Sequence, residues 1–330
     1  MTHKQHPLGT GFTAASTADD VLAGLDLSGR HALVTGGHAG IGLEVTRALS
    51  RAGATVTVGA RNPAAAMAAL ESVSGVEVAQ LDLVDPKSID ALAQRWLDSR
   101  RPLGMLVNNA GASGGPERDA RGYETQFAIN HLGHFQLTLA LLPALRAALG
   151  ARVVNVSSGA QRFGRIRWSD PNFTAGYDGR AAYAQSKLAN VLFAVELDRR
   201  WAADGVRGYA VHPGVVVGTK LNGSAGEKAL RRMGLIDAAG HPVIDPAAGK
   251  KTPKQGASTV VFAAAHPSLD GIGGVYLKDN DVSPLDDEPR QLTADCIPAE
   301  VASHAIDPVA AERLWTLSED LLAARPVPPG

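Results

Sequence analysis

Hydrophobic and polar positions change rhythm along this chain. From residue 31 onward, short β-branched or apolar runs (HALVTGG, ATVTVGA, VEVAQLD, GMLVNNAG, RVVNVSS and GYAVHPG) alternate with longer segments whose apolar residues recur at helical spacing. Near-continuous apolar runs of strand length suit strands buried on both faces. Their alternation with helices predicts βαβ units, hence an α/β chain with a doubly wound parallel sheet covered by helices on both sides. Each run ends in a small or polar cluster, and open parallel sheets take their ligands at the carboxyl ends of the strands. Chemistry is expected at those ends.

Ahead of the first run, Thr17 followed by Asp20 forms a capping signal and Gly24 a stop. A short helix is therefore predicted within an N-terminal extension, residues 1–28, with Val21, Leu22 and Leu25 docking on the body. No internal repeat or Pro/Ser-rich linker divides the rest of the chain, so residues 29–324 read as a single domain with a Pro- and Gly-rich final third, and 325–330 as a flexible tail.

The composition is ordinary for a globular chain of 330 residues, 45% hydrophobic and 20% charged. A formal net charge of −1, with acids and bases mixed, offers no footprint for nucleic acid or an anionic membrane surface. Cys296 is the only cysteine, which rules out an intrachain disulfide and a cysteine-rich metal site and fits a reducing, cytoplasmic setting. The first thirty residues lack a signal-peptide core, and the most apolar stretch, Leu137 to Leu149, is broken by Pro143 and Arg146. Neither secretion nor a membrane span is expected.

LVTGGHAGIGLEVTRAL sets Gly36, Gly40 and Gly42 between a strand and a helix. Such a turn lets backbone approach a pyrophosphate and aims a helix N-terminus at it. Glycine turns also serve merely to end elements, so the context of strand before and helix after matters. About 20 residues on, dinucleotide sites place an acid against the adenosine ribose; this chain has Ala60 there, followed by Arg61. A guanidinium can bind a 2′-phosphate that a carboxylate would repel, so NADP(H) is favoured over NAD(H). Further along, RAAYAQSKLAN places Tyr183 and Lys187 one helical turn apart on one face. A phenol with a pKa near 10 needs a neighbour that favours its anion before it can serve at neutral pH, and Lys187 would supply one.

Six motifs stand in order: TGxxxGxG at Thr35 to Gly42, NNAG at Asn108 to Gly111, Asn130 within FAINHLGHF, NVSS at Asn155 to Ser158, the Tyr183/Lys187 pair, and HPG at His212 to Gly214. This set resembles the short-chain dehydrogenase/reductase family over about residues 29 to 280, and AYAQSKLAN with the long spacer before it is similar to the retinol-dehydrogenase-like branch. The resemblance implies a Rossmann fold and an oxidoreductase acting on CH–OH donors with NAD(P). It implies a catalytic set of Asn130, Ser158, Tyr183 and Lys187: Tyr183 as acid/base, Lys187 also on the nicotinamide ribose, Ser158 rather than Ser157 on the substrate oxygen, and Asn130 holding a water that links Lys187 to solvent. It implies cofactor contacts from Thr35, Gly36, His38, Gly40, Ile41, Gly42, Arg61, Asp82, Leu83, Asn109, Ala110, Gly111, Tyr183, Lys187, Pro213, Gly214, Val215 and Thr219, with Asn108 opening the loop along the adenosine. The family carries a Thr four residues past HPG where this chain has Gly218, so the carboxamide contact falls to Val215 backbone and Thr219. Small residues around the pair, Ala184 among them, would let the helix lie close to sheet and cofactor.

Two long segments, 159–181 and 215–253, are expected to wall the substrate. Phe163 and Trp168 on the first, Leu221 and Met233 on the second, are candidate apolar contacts, although aromatic residues such as Phe163, Trp168, Phe173 and Tyr177 could equally form a satellite core. His131 and His134 match no zinc spacing and read as packing or loop contacts. The leading expectation is NADPH-dependent reduction of a ketone or aldehyde, or the reverse oxidation of an alcohol, on an apolar small molecule. A dinucleotide-sensing protein without catalysis is the alternative, and a serine hydrolase fails for want of GxSxG. Homodimers or homotetramers built through the helices of Asn130 and Tyr183 are the family's habit, while the terminal extensions leave room for a monomer.

Overall fold

The computed structural model describes residues 4–216, 219, 226–291, 293 and 297–324. The apolar runs become parallel strands: β1 (His31–Thr35), β2 (Thr55–Ala60), β3 (Val76–Gln80), β4 (Met105–Asn108), β5 (Ala151–Val156) and β6 (Val206–His212). A short parallel pair, β7 (Val215–Val216) with β8 (Lys250–Lys251), lies apart from the main sheet. β9 (Val275–Lys278) joins β6 in parallel and turns back as the antiparallel β10 (Asp281–Val282). The eight-stranded order is β10-β9-β6-β5-β4-β1-β2-β3. Order reverses between β1 and β4, which opens a crevice past their carboxyl ends.

Helices cover both faces. Among the described residues they are, in chain order, α1 (Ala18–Leu22), α2 (Gly40–Arg51), α3 (Pro63–Ala69), α4 (Pro86–Asp98), α5 (Thr125–Phe127), α6 (Gly133–Ala140), α7 (Leu142–Ala147), α8 (Gly179–Trp201), α9 (Glu227–Arg232), α10 (Pro253–Ala265) and α11 (Pro308–Ala323). On one face α1, α2 and α10 bury Val21, Leu49 and Phe262 with the sheet's Val34, Val56 and Tyr209. The other face packs α4, α6 and α8 on Leu33, Leu106 and Val153. Each such large apolar side chain contributes ~1.5–3 kcal/mol by leaving water, so the sheet's position is strongly determined. α1 starts as its sequence suggests: Thr17 and Asp20 close a capping box, and Gly24 leaves the helix at φ +77°.

α8 is the longest helix because its start is fixed and nothing interrupts it. Asp178 accepts hydrogen bonds from the Arg180 and Ala181 amides, and the interior holds neither Pro nor Gly. Sixteen of its residues are buried, since β5 and β6 lie on one side and α11 on the other. Among the described residues no helix is long and apolar enough to cross a membrane.

Candidate active site

The nucleotide edge begins where β1 ends. The chain turns through Gly36 at φ +65° and Gly40 at φ +53° into α2, dihedrals that only glycine adopts cheaply. At Gly42 a Cβ would stand 2.6 Å from the Gly36 carbonyl oxygen and 2.5 Å from Asn109 Nδ2. Ala39 gives α2 no capping side chain, so its first N–H groups are left for an incoming anion. Two left-handed glycines, the close approach at Gly42 and an uncapped helix end together fit a dinucleotide pyrophosphate. His38 and Ile41 flank them half-buried. Arg61 follows β2 directly, exposed and without an ion pair among the described residues, while Gln80 Nε2 donates to its carbonyl at 3.1 Å. Asp82 is half-buried two residues beyond β3, its carboxylate accepting the Val84 N–H at 3.2 Å, and Leu83 packs against Gly133.

Thr35 ties this edge to β4, its hydroxyl lying 3.4 Å from the Val107 carbonyl oxygen. Its hydroxyl oxygen accepts the Asn109 and Ala110 amides, both at 2.9 Å. The hydroxyl and His134 Nε2 lie 2.8 Å apart, and His134 Nδ1 lies 3.2 Å from the Asn130 carbonyl oxygen. A carbonyl can only accept, so Nδ1 carries the proton, and Thr35 donates to Nε2. Burial, then Lys187 as a nearby like charge, outweighs the Asn130 hydrogen bond and holds His134 at about 4; it stays neutral. His131 is likewise pushed down to about 3, chiefly by burial, and packs among Phe127, Phe135 and Phe193 while reaching Ser318 of α11 at 2.8 Å.

At the end of β5 the two serines separate. Ser157 is buried and donates to the Lys187 carbonyl at 2.7 Å, pinning α8 to the sheet. Ser158 is half-buried, starts a 3-10 turn (Gly159–Phe163) whose Ala160 amide its hydroxyl accepts at 3.2 Å, and stands beside the Tyr183 phenol. Burial pushes the Tyr183 phenol up to about 12, with the neighbouring Ser158 hydroxyl pulling the other way. Lys187, pulled down to about 8 by burial, has its ammonium 5.6 Å from the Tyr183 ring centroid and donates to the Val156 carbonyl at 3.1 Å. Gly111 makes room here: a Cβ would meet Asn130 Oδ1 at 3.4 Å and Lys187 Nζ at 3.6 Å.

Asn130 lies in a π-helical stretch (Ala128–Leu132) between α5 and α6, a widened turn often found at functional sites. Its side chain is used up inside the protein. Oδ1 accepts from the Ala112 amide at 2.8 Å, and Nδ2 donates to the Ala112 carbonyl at 3.0 Å and to Ser186 Oγ at 2.9 Å. Ser186 in turn donates to the Tyr183 carbonyl at 2.8 Å. Asn130 is thus a strut between the loop after β4 and the helix of Tyr183, and its carbonyl already takes His134.

Other anticipated contacts fall less directly on the site. Pro213 is buried, and Gly214 at φ +82° lies where a Cβ would strike the Lys251 stem at 2.7 Å. The Val215 N–H is committed to the Gly249 carbonyl at 2.8 Å. Thr219 reaches over Gly40, whose added Cβ would be 3.5 Å from its methyl. Leu221, Gly218 and the tail 325–330 lie outside the described residues. Phe163 and Met233 are exposed. Trp168 instead packs against the cluster between α8 and α11, under the Arg313 guanidinium at 4.2 Å, and Phe173 is buried beneath Arg167. The Tyr177 hydroxyl donates to the Gly115 carbonyl at 2.7 Å and so closes the loop after β4. Ala184 meets Gly164 of the segment after β5: a Cβ on Gly164 would lie 2.5 Å from its carbonyl oxygen.

Sequence reasoning missed two buried locks. Asn108, expected along the adenosine, is 1% exposed and donates to Asn155 Oδ1 at 2.8 Å and Thr138 Oγ1 at 3.1 Å, holding β4, β5 and α6 in register. The other is the contact of Thr35 with His134. Polar residues inside otherwise apolar runs were the available signal, because a buried amide needs a partner.

A family model described as short chain dehydrogenase matches residues 30–230. The chain is 43% identical over 309 residues to the "Probable oxidoreductase" of Streptomyces lividans, covering 91% of this chain and 100% of that protein. Retinol dehydrogenase 12 of Mus musculus is 37% identical over 305 residues, covering 90% and 88%. Among solved structures, an uncharacterized protein from Mycobacterium Paratuberculosis superposes with a TM-score of 0.70 at 32% identity, covering 95% of this chain and 99% of that one. The Pseudomonas aeruginosa RhlG/NADP active-site complex gives a TM-score of 0.59 at 26% identity over 77% and 95%.

Proposed function

Because the chain belongs to the short chain dehydrogenase family, and is thus an NAD(P)-dependent oxidoreductase acting on a small molecule, we propose that it reduces a ketone or aldehyde with NADPH, or oxidises the corresponding alcohol. The observation that carries this reading is the convergence of Ser158, Tyr183 and Lys187 past the end of β5, beside the glycine turn. Bound nicotinamide dinucleotide supplies or accepts the hydride. The residues that would hold it are Gly36, Gly40 and Gly42 with the α2 N-terminus, Arg61 at a 2′-phosphate and Asp82 near the adenine.

The protein's own part is to handle a proton. With its pKa near 12, ionising Tyr183 at pH 7 costs about 7 kcal/mol, so the resting group is a neutral O–H donor directed by Ser158. That state suits reduction: Tyr183 gives its proton to the substrate oxygen, Ser158 hydrogen-bonds the same oxygen, and the Lys187 ammonium steadies the phenolate left behind. Asn130 and Ser157 position these groups through Ser186 and the Lys187 carbonyl.

For assembly, a monomer is the reading we favour over the family's dimers. α11 lies along α8, and Trp315 packs on Phe135, Phe193 and Trp201 with ring centroids 4.9, 5.8 and 5.3 Å away, over the helices a partner would use. At the sheet edge, Gln5 takes the Tyr276 N–H and donates to the Tyr276 and Ser283 carbonyls, where the short β10 stops pairing.

The test is a panel of ketones and aldehydes with NADPH, followed by cofactor absorbance. Turnover should fall by about 10²–10⁴ in Tyr183→Phe while NADPH affinity is retained. Tight NADPH binding with no carbonyl reduced by the parent protein would sink the proposal.

A further inference from the structure

Resting on the carbonyl-reductase reading, we propose that the substrate bears a neutral hydroxyl group besides its reacting carbonyl, and that His212 and Glu300 read this hydroxyl in a cavity next to Ser158. The cavity measures about 270 Å³ and is lined by His212, Gly214, Lys278, Arg290, Ile297 and Glu300, among others. It stands at the carboxyl edge of the sheet, because His212 ends β6 and Lys278 ends β9. His212 Nδ1 accepts the N–H of Gly159, the residue after Ser158, at 3.0 Å. A Cβ on Gly159 would come within 2.9 Å of the Pro298 carbonyl oxygen and 3.1 Å of Ala299. The Ser158 turn and the cavity therefore share a wall.

His212 is 4% exposed, and burial, followed by the positive charge of Lys251, holds it at about 3, a neutral imidazole. Since Nδ1 accepts, the single ring proton sits on Nε2. Among the described residues this N–H has no hydrogen-bond partner in the protein, so it is available to an oxygen acceptor in the cavity that His212 lines.

The charges around it decide which acceptor. Lys278 pairs with Glu300 at 2.7 Å, Lys251 with Asp279 at 2.5 Å and Arg290 with Asp286 at 2.5 Å. An anionic or cationic substrate group would have to break one of these pairs. A hydroxyl need not: it accepts from His212 Nε2–H and donates to a carboxylate lone pair of Glu300, whose oxygens already serve Lys278 and the Ala299 amide. A purely hydrocarbon group would leave the imidazole unpaired.

The experiment compares cyclohexanone, its derivative with a hydroxyl across the ring, and the matching carboxylate, each reduced with NADPH by the full chain. We expect about a tenfold advantage in kcat/KM for the hydroxy-ketone, carried mainly by KM. His212→Asn puts an amide oxygen where Nδ1 stood, so Gly159 keeps its partner while the Nε2 donor is lost. Ala248→Phe fills the cavity from the 247–249 side and leaves the His212 side chain itself unaltered. Both should bring the hydroxy-ketone to cyclohexanone ratio to about one. A parent enzyme that prefers the carboxylate, shows no preference, or keeps its preference in both variants overturns the proposal. Absence of turnover with all three ketones and with the wider carbonyl panel would instead remove the carbonyl-reductase reading, and this inference with it.

Discussion

Lys187→Met retains the length of the side chain and deletes its charge, which separates the lysine's use in catalysis from its effect on the fold. Lys187 is 3% exposed, and burial pulls its ammonium from the ordinary 10.5 to about 8. That difference is worth about 3 kcal/mol against the folded state at pH 7. Its hydrogen bond to the Val156 carbonyl is not missed, because Asn190 Nδ2 donates to the same oxygen at 3.0 Å. The nucleotide-free variant should therefore be more stable by up to about 3 kcal/mol, a rise of about 5 °C in Tm for a chain of this size. The penalty exists because the folded pKa lies below the unfolded one; it is whole below pH 8, shrinks as pH rises from 8 to 10.5, and is gone above. Thermal and urea unfolding of both proteins at pH 7 and at pH 10 measure this directly. Carbonyl reduction should meanwhile drop by about 10²–10⁴. A variant less stable than the parent at pH 7, or a gain of equal size at both pH values, would refute the reasoning.

Arg61→Ala should weaken NADPH binding by about 10–100-fold and leave NADH nearly unchanged, since only the 2′-phosphate loses a charge-assisted partner; titration by cofactor fluorescence measures it, and equal losses for both nucleotides would place Arg61 elsewhere. Truncation after Ile306 removes α11 and uncovers Phe135 and Phe193, so light scattering should show the mass doubling or rising further. A truncated chain that stays monomeric would count against α11 as the cover. Trp315→Ala, a milder cut at the same place, should cost about 3–5 kcal/mol in urea unfolding.

Much of the site was legible because its demands are local. Gly36, Gly40 and Gly42 answer to backbone geometry over a few residues, and Tyr183 with Lys187 to one turn of helix. β9 and β10 went unread, being four and two residues long with little room for a period to show. Trp168 was legible only as an aromatic residue on a long segment. Its neighbour Arg313 lies 145 positions away, and nothing near Trp168 announces that it faces α11 rather than a substrate.

By itself, the sequence determined the alternation of strands and helices, the turn that can cradle a pyrophosphate, and the order in which motifs reach the sheet's carboxyl edge. These arise from periodicity, glycine dihedrals and capping, which act between near neighbours. Tertiary structure alone decided that Ser157 pins a helix while Ser158 stands beside Tyr183, that Asn108 and Asn130 are struts, and that His212 accepts the Gly159 amide beside a cavity lined by Lys278 and Glu300. Those outcomes depend on which polar atoms burial forces together across distant strands, where an unmet hydrogen bond is costly and partners are chosen by packing.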